Sequence, residues 1–284
     1  MLAFYDRWMF RPGSARRLGM SRALFYLCYL WQLWSLHPIA FVNVSGRYWE
    51  PVPLMAWLPQ PGLLQAQIVF ATAFFFGVTS ALGWRTRIST IMVALLGSYC
   101  LSWLNALGGI NFHAMPLILI SWILPFSACG SAFSLDSTGA EDPPDSPEFS
   151  WPIRVCWFPL LLPMASAGFH KVVGQWFARP DDMIESFLRF KYYVQSPGQV
   201  PSQTLDILPR RGLLKALAYL TVVLELGCPL ALLDRPRVFR IFWIGGLFFM
   251  QMTLAYVLST LETFPWMGAY VFWVPWEKVW PVRR

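Results

Sequence analysis

Long apolar runs constrain this chain more than any other feature. Eight stretches, at 21–41, 64–84, 88–107, 112–132, 152–175, 213–233, 239–261 and 264–280, are dense in Leu, Phe, Val, Ile and Trp. A helix crosses the hydrocarbon core of a bilayer with about 20 mostly apolar residues. The expected fold is an all-α polytopic membrane bundle of about eight transmembrane helices. Seven runs are clear; the eighth holds Pro275 and Trp276, which also fits a dip into the interface. Composition agrees. Only 13% of the 284 residues are charged, against about 25% in soluble globular proteins. The first apolar run follows Arg22 and has no short core with a small-residue cleavage site, so a cleaved signal peptide is not expected.

The net charge of +7 comes from 22 basic and 15 acidic residues. No RNP-like or zinc-finger pattern accompanies it, so no nucleic-acid partner is expected; the basic residues flank the apolar runs instead. With the N-terminus cytoplasmic, the short loops holding Arg85/Arg87 and Arg235/Arg237 fall inside. Eight spans then place both termini in the cytoplasm and make the lipid bilayer the chain's main partner. Two connections are long. Residues 133–150 hold five acids and three prolines and read as a flexible acidic cytoplasmic linker. Residues 176–212 form the largest outer loop. There Ile184, Phe187, Leu188 and Tyr192 recur at helical spacing, which predicts an amphipathic helix with Asp181 as its N-cap.

Ionisable groups inside spans are costly and therefore informative. Topology carries His37, His113, His170 and Lys171 to the outer end of the bundle, with Asn43, Asn105 and Asn111 near the same level. Lys171 equally fits a side chain that snorkels to the headgroups, and His113 an interfacial residue. His37 precedes Pro38 and fits a ring that bonds a freed carbonyl. Three histidines at one level would allow a metal, but no His pair has i,i+4 spacing and no acid lies close in sequence, so no metal is expected. Glu225 lies mid-span and must pair, protonate or face a cavity; Gln251 is placed similarly. The five cysteines sit in apolar stretches without a CxxC pair and read as small buried side chains. GxSxG, Walker A and GxGxxG patterns are absent. Any chemistry would therefore use a desolvated amine or imidazole as base.

The segment MASAGFHKVVGQW, residues 164–176, resembles the AG-x-x-K…W segment of the vitamin K-dependent γ-glutamyl carboxylase and its bacterial relatives, which share the HTTM (horizontally transferred transmembrane) domain. Further segments agree in order: RPGSARRLGMSRALFYL (11–27), YWEPVPLMAWLP (48–59), ALGWRTRIST (81–90), NFHAMPLILISWILPFSACGSAFSLDS (111–137) and FPWMGAYVFWVP (264–275). The resemblance implies one HTTM-type domain over residues 1–284. In the carboxylase, a lysine amine deprotonates reduced vitamin K. Reaction with oxygen then yields a strong base that ends as the epoxide. That base removes the γ-proton of a glutamate, to which carbon dioxide adds in a lyase-type step. By resemblance the base falls on Lys171, with His113 assisting and His170 and Asn111 in support; His37 and Glu225 are supporting candidates from their placement in the apolar runs. The implied cofactor is a vitamin K-like reduced quinone. The implied location is the bacterial inner (plasma) membrane, with the site facing the periplasm.

The chain also departs from the family. Phe112 separates Asn111 from His113 where the family often has adjacent Asn-His. The seventh run lacks a histidine and has Met250 and Gln251 there. No counterpart of the carboxylase's large lumenal domain occurs before Arg284, so a separate substrate or partner protein is expected. The alternative is a non-catalytic maturation, transport or immunity factor, or a subunit of a complex. Internal repeats and broken half-helices, which many transporters show, are not detectable.

Overall fold

A computed structural model describes residues 6, 8–51, 53, 57, 59–106, 114–174, 176, 178, 180–189, 209–233, 237–257 and 266–279. Regular structure among them is helical. The main helices are α1 (Ala15–Ser35), α2 (Leu63–Leu82), α3 (Thr86–Asn105), α4 (Met115–Phe126), α5 (Pro147–Val155), α6 (Phe158–Val173), α7 (Pro180–Arg189), α8 (Arg211–Gly227) and α9 (Arg237–Val257). Four helical segments among the described residues are long and apolar enough to cross a bilayer: α2, α3, the combined run Pro147–Val173, and Arg211–Leu232. Side chains on α2 show why a membrane is required. Its mean hydropathy is 1.5, yet only 28% of that window is buried. Leu64, Ile68 and Phe75 point outward, a large apolar surface that a soluble protein would not expose.

Element boundaries follow local chemistry. The helix of the first expected run begins earlier, at Ala15, and also ends earlier, because His37 adopts a left-handed backbone (φ 42°) and Pro38 follows it. Proline disfavours helical geometry in the residue before it, so α1 stops at Ser35. α2 ends in a Schellman turn. Gly83 (φ 72°) donates its N–H to Ser80 O, and Trp84 donates to Thr79 O. The fourth expected run is a short helix, since Pro125 and Ser127 close it. The last run is also broken, into Met267–Trp273 and Trp276–Val279. α7 is a helix within residues 176–212, with Leu188 buried and Glu185 paired to Arg189. Asp181 lies within its first turn rather than at the cap; Tyr192 lies outside the described residues.

The chain forms two compact units. One comprises residues 1–159 and 264–284, the other residues 160–263. The first is organised around α1, whose Leu18, Phe25, Tyr26, Tyr29 and Leu33 are fully buried. Phe25 packs on Phe272, and Trp157 stacks on Trp273 at 4.3 Å between ring centroids. The stretch expected to be a linker is anchored at both ends in this unit. Asp136 binds the start of α3, and Ser146 exchanges two backbone hydrogen bonds with Gly13. The second unit packs α8 against α7 and α9.

Candidate functional site

The site is built on one face of α6. Leu161, Met164, Gly168 and Lys171 recur at three- and four-residue steps, which places them along a single helical stripe. The Cys228 thiol lies 3.8 Å from the Leu161 carbonyl, and Gln251 Nε2 lies 3.6 Å from Met164 Sδ. Gly168 is the point of closest approach. A Cβ there would lie 2.8 Å from the Leu226 nitrogen and 2.9 Å from Glu225 Cβ. Only a residue without a side chain lets the two helices meet this closely, as small residues do between membrane helices.

One turn beyond Gly168, Lys171 Nζ donates to Glu225 Oε1 and forms an ion pair with it. The side chains are unequally covered, Lys171 being 20% exposed and Glu225 5%. Glu225 Oε2 is buried without a hydrogen-bond partner among the described residues. The Lys171 ammonium also sits 5.2 Å from the centroid of the Trp176 ring, within cation–π range. Because Glu225 lies about 21 Å along α8 from Arg211 at 1.5 Å per residue, Lys171 is level with the far part of that helix. Its amine is turned to the Glu225 carboxylate.

The other expected residues are placed differently. His170 neighbours Lys171 on α6, is exposed, and its ring lies 6.2 Å from that of Phe169. His37 belongs to the first unit, where it is exposed beside Trp34 at 5.9 Å between ring centroids. His113 and Asn111 lie outside the described residues. No group of three or more His, Cys, Asp or Glu among the described residues is arranged to hold a metal. Sequence reasoning asked Glu225 for a partner without naming one, and it missed Gly168 altogether. The signal was present: Gly168 and Lys171 stand three residues apart in the segment that carries the resemblance.

The first unit holds a buried cation of its own. Arg22 is fully buried on α1. Its Nη2 donates to Phe133 O at 2.7 Å and to Ala81 O at 3.5 Å, and its Nη1 to Cys129 O at 3.2 Å. Nearby, Asp136 accepts from the N–H groups of Arg85 and Thr86 and from the Thr86 hydroxyl, each at 2.7 Å. Partial burial pushes the Asp136 carboxyl up, but these donors and the Arg22 charge together hold it below the ordinary carboxylate range. Asp136 therefore caps α3 as an anion.

A family model described as the HTTM domain matches residues 10–280. Comparison with curated proteins and with solved structures gave no match.

Proposed function

The chain belongs to the HTTM domain family, which relates it to vitamin K-dependent carboxylase as a membrane protein; from that premise we propose that it binds a reduced quinone within the membrane and uses Lys171 as the base that deprotonates it. The observation that carries this reading is the Lys171–Glu225 pair, an amine on an apolar helix in contact with a buried carboxylate. A residue pair of this kind marks a functional centre more often than a lipid-facing surface does.

The residues around Lys171 fit an aromatic diol. Lys171 donates to a ring oxygen, Trp176 offers a flat face, and exposed Val172, Val173 and Phe169 give an apolar approach. A reduced quinone, with oxygen, supplies a base strong enough to remove the γ-proton of a glutamate. Lys171 holds or releases a proton at Nζ, and the surrounding helices exclude water. In this reading His113 and Asn111 assist, the site faces the periplasmic side of the inner membrane, and a separate protein brings the substrate.

The test is epoxide formation by the nanodisc-embedded protein from a reduced naphthoquinone and oxygen. Wild type should form the epoxide and Lys171→Ala should not. Equal yields from both would remove Lys171 from the chemistry. The sealed carboxylate also suits an interhelical tie in a non-catalytic complex subunit; stable co-purification with a partner and a replaceable Lys171 would favour that reading.

A further inference from the structure

We propose that Glu225 is the proton acceptor that unloads Lys171, so that the two side chains work as one acid–base unit. The inference rests on the reading of Lys171 as the base. A lysine accepts a proton only through its nitrogen lone pair, and an ammonium has three donors and no acceptor. Lys171 Nζ is in contact with Glu225 Oε1, and in the ion-paired form of that contact the nitrogen is an ammonium. A proton must therefore leave Nζ before Lys171 can take one from a substrate.

Glu225 Oε1 is already in contact with that proton. As a carboxylate, Glu225 has a single donor, because Oε2 is buried and unpartnered among the described residues. Transfer inside the pair breaks one Nζ–H bond and forms one Oε1–H bond. It removes two buried charges at once, which offsets the cost of keeping both out of water. Lys171, the more exposed of the two, then has its lone pair on the accessible side. Lys171 Nζ next takes the proton of an acidic hydroxyl, and the oxyanion left behind replaces the carboxylate as its counter-ion. The pair and the substrate together stay neutral throughout.

The surroundings add no competing charge among the described residues. Just past α8, the Cys228 thiol lies 3.1 Å from the Glu225 backbone carbonyl oxygen. α9 brings Gln251, which is neutral and bound to Met164. α6 adds only the exposed His170. On α7, Glu185 and Arg189 bind each other. Gly168 keeps the two partners in register.

The test omits oxygen, so that proton transfer is read without turnover. The full chain in nanodiscs is mixed anaerobically with a reduced naphthoquinone. Bound naphtholate is followed by its long-wavelength absorbance across pH, and the carboxylic-acid C=O stretch is followed by infrared difference spectroscopy. Wild type should bind naphtholate through neutral pH and gain an acid band that Glu225→Gln lacks. In Glu225→Gln the proton must leave Lys171 for water, so the acid limb of naphtholate formation should move to higher pH. Near neutral pH the yield should fall at least about tenfold, the equivalent of one unit in pKa. Glu225→Asp should return the limb to its wild-type position.

An unmoved limb with a lower amplitude in Glu225→Gln would make Glu225 a structural tie and overturn the proposal. If Glu225→Gln does not fold, the wild-type acid band decides: naphtholate without that band also overturns it. Wild type forming no naphtholate at any pH would instead overturn the quinol reading, and this proposal with it.

Discussion

Arg22 and Lys171 are both drawn away from water, and their partners differ. Arg22 spreads its charge over the carbonyl oxygens of Cys129, Phe133 and Ala81. Those acceptors are neutral carbonyls, at the end of α2 and in the segment after α4, and cannot take up a proton. Gly83, held at φ 72°, leaves no room beside the guanidinium, since a Cβ there would lie 2.4 Å from Nη1. Lys171 instead has one carboxylate partner with a spare oxygen, and an aromatic ring nearby. Arginine stays charged in proteins whereas lysine can give up its proton when buried. The first arrangement fixes chain segments; the second, on the proposed reading, exchanges protons.

Four variants sharpen that contrast, from the largest effect to the smallest. Lys171→Met should lower epoxide formation per folded molecule by about 100- to 10,000-fold, the usual range for a general base. Arg22→Met should act in the opposite way. It leaves three carbonyls without their donor, so a loss of about 2–4 kcal/mol in stability is expected, read as an earlier thermal transition in detergent. Turnover per folded molecule should survive. Gly168→Ala should cost about 1–3 kcal/mol through overpacking and also reduce turnover, because the added methyl separates Lys171 from Glu225.

Asp136→Ala should cost about 0.5–2 kcal/mol as a lost helix cap, with turnover per folded molecule unchanged. The same cap gives a pH dependence of known sign. Asp136 is held below the ordinary carboxylate range when folded. Its contribution is therefore complete above the unfolded value, about 3.9, and fades as pH falls through the folded one. Wild type should lose that increment on acidification and Asp136→Ala should not, as unfolding midpoints across acidic pH would show.

Much of the fold was legible because lipid imposes a simple rule on sequence. The runs at 64–84 and 88–107 lie within two residues of α2 and α3. Where the runs and helices differ, proline and backbone geometry intervene, as at Pro38, Pro125 and Pro275. Hydropathy cannot register these breaks, since proline in an apolar run barely lowers the average. The site was legible only in part. Lys171 and Glu225 each stood out as charges in apolar surroundings. Their pairing depends on how two helices cross, which Gly168 sets by having no side chain. Arg22 looked like one of several basic residues flanking the first run. Its burial depends on loops more than a hundred residues away in sequence, at Cys129 and Phe133.

The most direct measurement is epoxide formed per folded molecule, compared between Lys171→Met and Arg22→Met in nanodiscs supplied with reduced naphthoquinone and oxygen. The expected result is no epoxide from the lysine variant and near wild-type yield from the arginine variant, corrected for its folded fraction. Equal losses in the two variants, or epoxide retained without Lys171, would contradict the division of the two cations into a reactive one and a structural one.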